Sequence, residues 1–252
     1  MVYKQEQVIA TRPAKVVYRE GDTVVKLFDP EYSKAAVLNE ALNQARVEET
    51  DLHIPQLLEV FKADGCWAIR SDYIEGKTLQ QLMDENPEKL DEYLEQFVTL
   101  QMEIHTKRAP LLTKLKDKMH RKISDSKFEA TIRFELHTRL EGMPKHKKVC
   151  HGDFNPSNVI ITPDGTPYII DWAHATQGNA SADVARTYLY LTLHNGEAFA
   201  KKYLKTFCRM SDTALQYVQN WMPIVAASQS VKENSPEEFA LLSRWVNVVD
   251  YV

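Results

Sequence analysis

The run His151-Gly152-Asp153-Phe154-Asn155-Pro156-Ser157-Asn158, followed by Tyr168-Ile169-Ile170-Asp171-Trp172, constrains this chain more than any other stretch. Between the two runs lie the apolar Val159-Ile160-Ile161 and the turn residues Pro163-Asp164-Gly165. The region therefore reads as loop, strand, turn, strand, with a carboxylate at the far end. Asp153 and Asn158 frame the pattern Asp-x-x-x-x-Asn. A loop carboxylate, an amide oxygen and a second carboxylate behind an apolar strand are the parts used for phosphoryl transfer. The first orients and deprotonates a hydroxyl; the other two hold Mg²⁺ over the phosphates of ATP. On this reading Asp153 is the base, and Asn158 and Asp171 are the metal ligands.

Phosphoryl transfer also needs a cation on the nucleotide phosphates, held in place by an acid. Lys26 ends the alternating segment Val24-Val25-Lys26. Glu40 lies on the helix expected next, with Glu48 and Glu49 as rivals nearer that helix's end. Asp183, in Asn179-Ala180-Ser181-Ala182-Asp183, reads as a support that pins the loop carrying Asp153, or as a first-turn acid favoured by the helix dipole. His151 is expected to brace the same loop with a ring hydrogen bond. Shared metal ligation by Cys150 and His151 is disfavoured, because adjacent residues of an extended chain point to opposite faces. His105 reads as a packed or capping residue, and His174 as either a pocket or a packing residue.

With 252 residues the chain can bury a sizeable core as one large domain or two lobes. A formal net charge of −4 and a pI of about 6.1 give no footprint for nucleic acid or an anionic membrane. No apolar run approaches the roughly 20 residues that span a bilayer. The first residues, Met1 to Gln7, lack the apolar core of a secretory signal. Cys66, Cys150 and Cys208 are widely spaced and odd in number, against a disulfide framework. A soluble cytoplasmic protein is expected, and no feature of the sequence sets an oligomeric state.

Val16 to Arg19, the turn at Glu20-Gly21-Asp22 and Thr23 to Phe28 suggest a hairpin. Ser33 to Glu49 carries Ala36, Val37, Ala41, Leu42 and Ala45 at helical spacing. Leu57–Lys62 and Cys66–Tyr73 read as two more strands around Ala63-Asp64-Gly65. After the connector Glu75-Gly76-Lys77 the character turns helical. Asn86-Pro87 reads as a cap and first turn; Leu90, Leu94, Phe97, Val98 and Met102 follow on one face. A charged helical region spans about 112–140, and helices run from about Ser181 to the end. The expected division is 1–75, a nucleotide-binding lobe, and 76–252, a catalytic and substrate-binding lobe.

The run from His151 to Asn158, with Ile170-Asp171-Trp172-Ala173 and Ala182-Asp183-Val184-Ala185, resembles the aminoglycoside phosphotransferase and choline kinase family of small-molecule kinases. The resemblance covers Val16 to about Tyr190. It implies an α+β, protein-kinase-like two-lobed fold: a small N-terminal lobe of antiparallel sheet with one helix, and a larger, mainly helical C-terminal lobe. It implies Asp153 as base, Asn158 and Asp171 on Mg²⁺, Lys26 on the phosphates and Glu40 as its partner. It also implies that the connector takes the adenine of ATP through the Asp72 carbonyl and the Ile74 amide, with Ser71 behind the base. The segment Thr11-Arg12-Pro13-Ala14-Lys15 lacks the glycines with which protein kinases cover phosphates. Trp172 and Ala173 stand where protein kinases have Phe and Gly, and no Ala-Pro-Glu follows, so the resemblance is to the small-molecule branch.

The expected activity is ATP-dependent phosphorylation of a hydroxyl on a small molecule. The alternative is a catalytically silent nucleotide-binding module. A polycationic acceptor would call on acids such as Asp212, Glu233, Glu237, Glu238 and Asp250. A choline-type acceptor would call on an aromatic cage from Trp221, Trp245 or Tyr251, residues for which core packing is the default.

Overall fold

A computed structural model of the chain describes residues 4–12, 14–232 and 235–246. Numbered along the chain, these residues form ten strands and ten α-helices. They divide into two compact units. The first comprises Met1–Glu85 and Pro156–His174, and the second Asn86–Asn155 and Ala175–Val252.

In the first unit, β1 (Val8–Arg12), β2 (Lys15–Glu20), β3 (Thr23–Phe28), β4 (Leu57–Ala63) and β5 (Cys66–Asp72) form an antiparallel sheet in the order β1-β2-β3-β5-β4. The β2–β3 hairpin turns at Gly21, whose positive φ suits the turn. Between β3 and β4 runs α1 (Lys34–Glu48). Ser33 caps it: its hydroxyl accepts the Ala36 amide at 3.1 Å. Val37 and Ala41 of α1 pack on Phe28 and Ile69 of the sheet.

A second, three-stranded sheet in this unit joins β6 (Lys77–Thr78), β8 (Val159–Ile161) and β9 (Pro167–Ile169). The helix α2 (Leu79–Glu85) follows β6 directly. Gly76 is required at the approach to this sheet. A Cβ there would lie 2.3 Å from the Ile161 carbonyl oxygen, and φ is +157°.

The second unit is mainly helical. It contains α3 (Leu90–Ile104), α4 (Leu115–Asp125), α5 (Ala130–Gly142), α6 (Ala180–His194), α7 (Glu197–Ser211), α8 (Leu215–Gln219), α9 (Met222–Gln229) and α10 (Pro236–Val246). One antiparallel pair, β7 (Lys148–Cys150) with β10 (Thr176–Gly178), interrupts the helices. Ile224 to Ala227 of α9 are wholly buried, and α4, α6 and α10 pack around that helix.

One local expectation is refined and one corrected. The charged region 112–140 is two helices. The Ser126 hydroxyl donates to the Ile123 carbonyl at 2.7 Å, a local bond that competes with helix continuation, and the buried Phe128 follows. Asn86 makes no side-chain cap; Pro87–Lys89 form a 3₁₀ turn, closed by the Lys89 amide on the Asn86 carbonyl at 3.0 Å, before α3 starts. Among the described residues no helix is long and apolar enough to cross a membrane.

Candidate active site

In the first unit, side chains alternate across β3, so Lys26 shares the face of Phe28 and points at α1. Glu40 lies one turn beyond Val37, on the face α1 turns to the sheet. Lys26 Nζ donates to Glu40 Oε1 at 2.5 Å and to Asp171 Oδ1 at 3.2 Å. Burial opposes the charge on Lys26, but Asp171 and Glu40 outweigh it and its pKa is raised. Glu40 Oε2 also meets Lys15 Nζ at 3.8 Å. Glu48 is engaged elsewhere: its carboxylate accepts the Leu57 amide at 2.6 Å. Glu49 closes the C-terminal end of α1.

Asp171 has a left-handed backbone, φ +64°, a conformation that costs a non-glycine residue about 1–3 kcal/mol. Its neighbours hold it there. Trp172 is buried and its indole N–H donates to the Ile169 carbonyl at 3.0 Å. Asn43, one turn after Glu40 on α1, donates to the Ala173 carbonyl at 3.1 Å. The Ile170 amide donates to the Asn158 carbonyl at 3.0 Å, which sets Asn158 beside the strand end that carries Asp171. The oxygen donors Asn158 and Asp171 fit Mg²⁺, which is normally held by one or two carboxylates together with phosphates. Among the described residues no group of three or more His, Cys, Asp or Glu forms a metal cage.

Ser71 and Asp72 end β5; Ser71 pairs with Val24 on one side and Leu57 on the other. The Asp72 carboxylate accepts the Gln56 amide at 3.2 Å. Ile74 lies in the irregular connector between β5 and β6.

The other half of the motif belongs to the second unit. Asp183 is wholly buried on the first turn of α6. Its carboxylate accepts the His151 amide at 3.1 Å, the Gly152 amide at 2.7 Å and a contact from His105 Nε2 at 3.0 Å. Burial alone would raise its pKa; the hydrogen bond and charge of His105 and the other donors lower it. Gly152 adopts φ +78°, where glycine is unstrained. His151 Nδ1 accepts the Asp153 amide at 3.2 Å, so the ring braces the loop. Thr187 Oγ1 donates to the Phe154 carbonyl at 2.8 Å, and Phe154 stacks on Phe97 with ring centres 4.4 Å apart. Arg186 Nη2 donates to Asp153 Oδ1 at 2.9 Å. Asp183, Arg186 and Thr187 share one face of α6 by their spacing, so a single helix face holds the loop backbone and the Asp153 side chain.

A family model described as the phosphotransferase enzyme family, APH, matches residues 12–217. The chain belongs to the phosphotransferase enzyme family. Among solved structures, a thermostable mutant of aminoglycoside phosphotransferase APH(4)-Ia in ternary complex with ADP and hygromycin B aligns over 94% of this chain and 90% of its own, with 16% identity and a TM-score of 0.67. Choline kinase LicA from Streptococcus pneumoniae aligns over 95% and 90%, with 16% identity and a TM-score of 0.63. ADP-bound aminoglycoside phosphotransferase APH(2'')-Ib aligns over 96% and 91%, with 15% identity and a TM-score of 0.62. At these identities the likeness shows the fold, an α+β kinase-like arrangement with an N-terminal antiparallel sheet. No curated protein sequence matches the chain.

In this family member several site residues escape the sequence reading. Lys15, Asn43, Arg186 and Thr187 carry no motif of their own. The signal that could have found Arg186 and Thr187 is their spacing, three and four residues after Asp183 on one helix face. Of the acceptor candidates, Asp212 ends α7 in a left-handed turn and Glu238 accepts the Ser235 amide at 2.9 Å as a cap. Glu237 lies in the first turn of α10. Trp221 is wholly buried in the core, whereas Trp245, partly exposed, stacks on Tyr188. Glu233, Asp250 and Tyr251 lie outside the described residues.

Proposed function

We propose that this family member is an ATP-dependent small-molecule kinase that phosphorylates a hydroxyl group. The observation that carries the reading is the Lys26 ammonium bound between Glu40 and Asp171. A cation held by a helix acid and set against the acid behind an apolar strand is the arrangement that positions nucleotide phosphates.

We assign Lys26 to the α- and β-phosphates and Glu40 to its orientation. Asn158 and Asp171 would hold Mg²⁺, which supplies charge neutralisation at the phosphates. The Asp72 carbonyl and Ile74 amide would take the adenine edge, with Ser71 behind it. Asp153 accepts the proton of the acceptor hydroxyl as its oxygen bonds to the γ-phosphorus; the bond to the β–γ bridging oxygen breaks and ADP leaves. In this reading 1–75 binds the nucleotide, and 76–252 carries the base, the metal ligands and the acceptor site. The free cysteines Cys66, Cys150 and Cys208 fit a cytoplasmic enzyme.

ATP consumption over a panel of alcohols, with and without Mg²⁺, tests the proposal in wild type and Asp171→Ala. Acceptor-dependent ADP formation that needs Mg²⁺, with a raised half-saturating Mg²⁺ in the variant, supports it. Nucleotide binding without transfer to any acceptor would leave a silent binding module instead.

A further inference from the structure

Gln101 is wholly buried on α3 and Tyr203 is wholly buried on α7, and the reaction as drawn uses neither. Buried polar groups are retained where their hydrogen bonds are met, so the partners are informative. The Tyr203 hydroxyl donates to Gln101 Oε1. Gln101 Nε2 donates to Thr187 Oγ1 at 3.1 Å, and Thr187 Oγ1 donates to the Phe154 carbonyl at 2.8 Å. The bonds thus run from α7 through α3 and α6 to the residue that follows Asp153, all within the second unit. A second path joins the same ends. Phe97, one turn before Gln101 on α3, stacks on Phe154, and its ring centre lies 5.8 Å from that of Tyr203.

Helical spacing arranges these residues as one of two tiers. Gln101 and His105 on α3, Asp183 and Thr187 on α6, and Tyr203 and Phe207 on α7 are each four residues apart. In one tier His105 Nε2 meets Asp183 at 3.0 Å, with its ring edge toward Phe207, and Asp183 takes the amides of His151 and Gly152. In the other tier Gln101 joins Tyr203 to Thr187, which takes the Phe154 carbonyl. The loop is held by its N–H groups before Asp153 and by a C=O after it.

The second tier has a direction. Burial and the charge of Asp183 push the Tyr203 phenol well above its ordinary value, so it stays a donor. Its proton goes to Gln101 Oε1, which leaves Nε2 for Thr187. Thr187 accepts there and spends its one proton on Phe154. With the amide turned over, its oxygen would face Thr187 and draw that proton away from the loop.

We propose that Gln101 and Tyr203 are positioning residues for Asp153, acting through the Thr187 hydroxyl on the Phe154 carbonyl. This rests on the kinase reading above and deepens it at the base. Gln101→Glu tests the direction of the bonds. An ionised carboxylate only accepts, so it takes the Thr187 proton and leaves the Phe154 carbonyl without it. A protonated carboxyl can donate as the amide does, and burial raises the pKa of such a group into a range that can be titrated.

The test uses the full chain. kcat and nucleotide KM are measured from about pH 6 to about pH 9 on the best acceptor of the alcohol panel, for wild type, Gln101→Glu and Tyr203→Phe. Amide hydrogen exchange of residues 151–155 and thermal melting are measured beside them. In Gln101→Glu the kcat, taken as a ratio to wild type at each pH, should fall as pH rises. The loss should reach up to about 10²-fold, the scale of a misplacement of about 1 Å, with nucleotide KM unchanged. Tyr203→Phe removes one oxygen and frees the amide to turn. Its loss should be smaller and its ratio to wild type flat with pH.

Wild-type kcat in both variants, or a loss in Gln101→Glu that is the same at every pH, overturns the proposal. A loss that merely tracks a lowered melting temperature also overturns it, since the residues would then serve stability alone. If Gln101→Glu does not fold, Tyr203→Phe decides by kcat and exchange. Where no acceptor turns over, exchange decides: faster exchange at 151–155 in the folded variants supports the grip on the loop, and unchanged exchange overturns it. Absence of nucleotide binding by wild type would defeat the kinase reading, and the exchange result would still judge the grip.

Discussion

Arg186 Nη2 lies 2.9 Å from Asp153 Oδ1, on the same face of α6 from which Asp183 takes the amides of His151 and Gly152. The two residues divide one task. Asp183 fixes the backbone of the loop, and Arg186 fixes the direction of the carboxylate it carries.

Arg186 is therefore a positioning residue for Asp153. Arg186→Ala should lower kcat by up to about 10²-fold, the scale of a misplacement of about 1 Å at a reacting group. Nucleotide KM should not change. Arg186→Lys should recover part of kcat, because it restores one charged donor without the planar fork. Steady-state kinetics with both substrates varied would show this; an unchanged kcat in the alanine variant would remove the role.

Asp183 is a stability residue with an acid signature. Asp183→Asn keeps the shape but turns an amide group toward donors, and should destabilise the fold by about 3–5 kcal/mol, as breaking a buried charged network does. Its folded pKa lies below the ordinary 3.8. The unfolded chain thus takes up the proton first as pH falls. The stabilisation is complete above about 3.8 and is lost as pH drops through the folded value. Urea unfolding between pH 3 and 6 should show this acid loss in wild type and a flatter profile in the variant.

The shift at Lys122 costs stability where that at Asp183 adds it. Its folded pKa is pushed from 10.5 down to about 7. Between those values the unfolded chain binds a proton that the folded chain does not, so stability rises with pH across this window. The charges facing it are Lys118 on α4, Lys232 after α9, Arg186 on α6 and Asp153 in the loop. Lys122→Met should raise stability most at the lower end of that window, about pH 7 and below, and flatten the profile. Denaturation midpoints at pH 7, 8 and 9 measure it; parallel profiles for variant and wild type would contradict it.

Lys26 and Glu40 form one unit. Lys26→Ala should weaken nucleotide binding and turnover together, and Glu40→Ala should do so more mildly, because Lys26 keeps its second contact with Asp171. The free-energy losses should fall short of additive in the double variant by about 0.5–3 kcal/mol, the range for contacting residues. Strict additivity would show that the two act separately.

The sequence revealed some of these relations and hid others for physical reasons. Strand alternation and helical period suffice to turn Lys26 and Glu40 toward each other, because each shares its face with core residues, Phe28 and Val37. The β2–β3 hairpin and α1 were legible from β-branched runs, Gly21 and Ser33 for the same local reason. Asp171 was legible as a carboxylate after a strand, but its left-handed backbone depends on Trp172 and Asn43, the latter distant in sequence. The set of positive charges acting on Lys122 was not legible as a group. Its members come from α4, α6 and the segment after α9, and each alone reads as a solvated surface charge. The break at Ser126 inside the helical region 112–140 was not legible, because helical propensity and charge run through it unchanged.

The most direct test of the whole account is Asp153→Asn, assayed in parallel for Mg·ATP affinity and for transfer to an acceptor. The substitution keeps the shape and removes the proton acceptor, while Lys26, Asn158 and Asp171 remain. The account predicts nucleotide affinity close to wild type and a loss of turnover of about 10²–10⁴-fold, the usual worth of a general base. Turnover within about tenfold of wild type, at unchanged affinity, would contradict it.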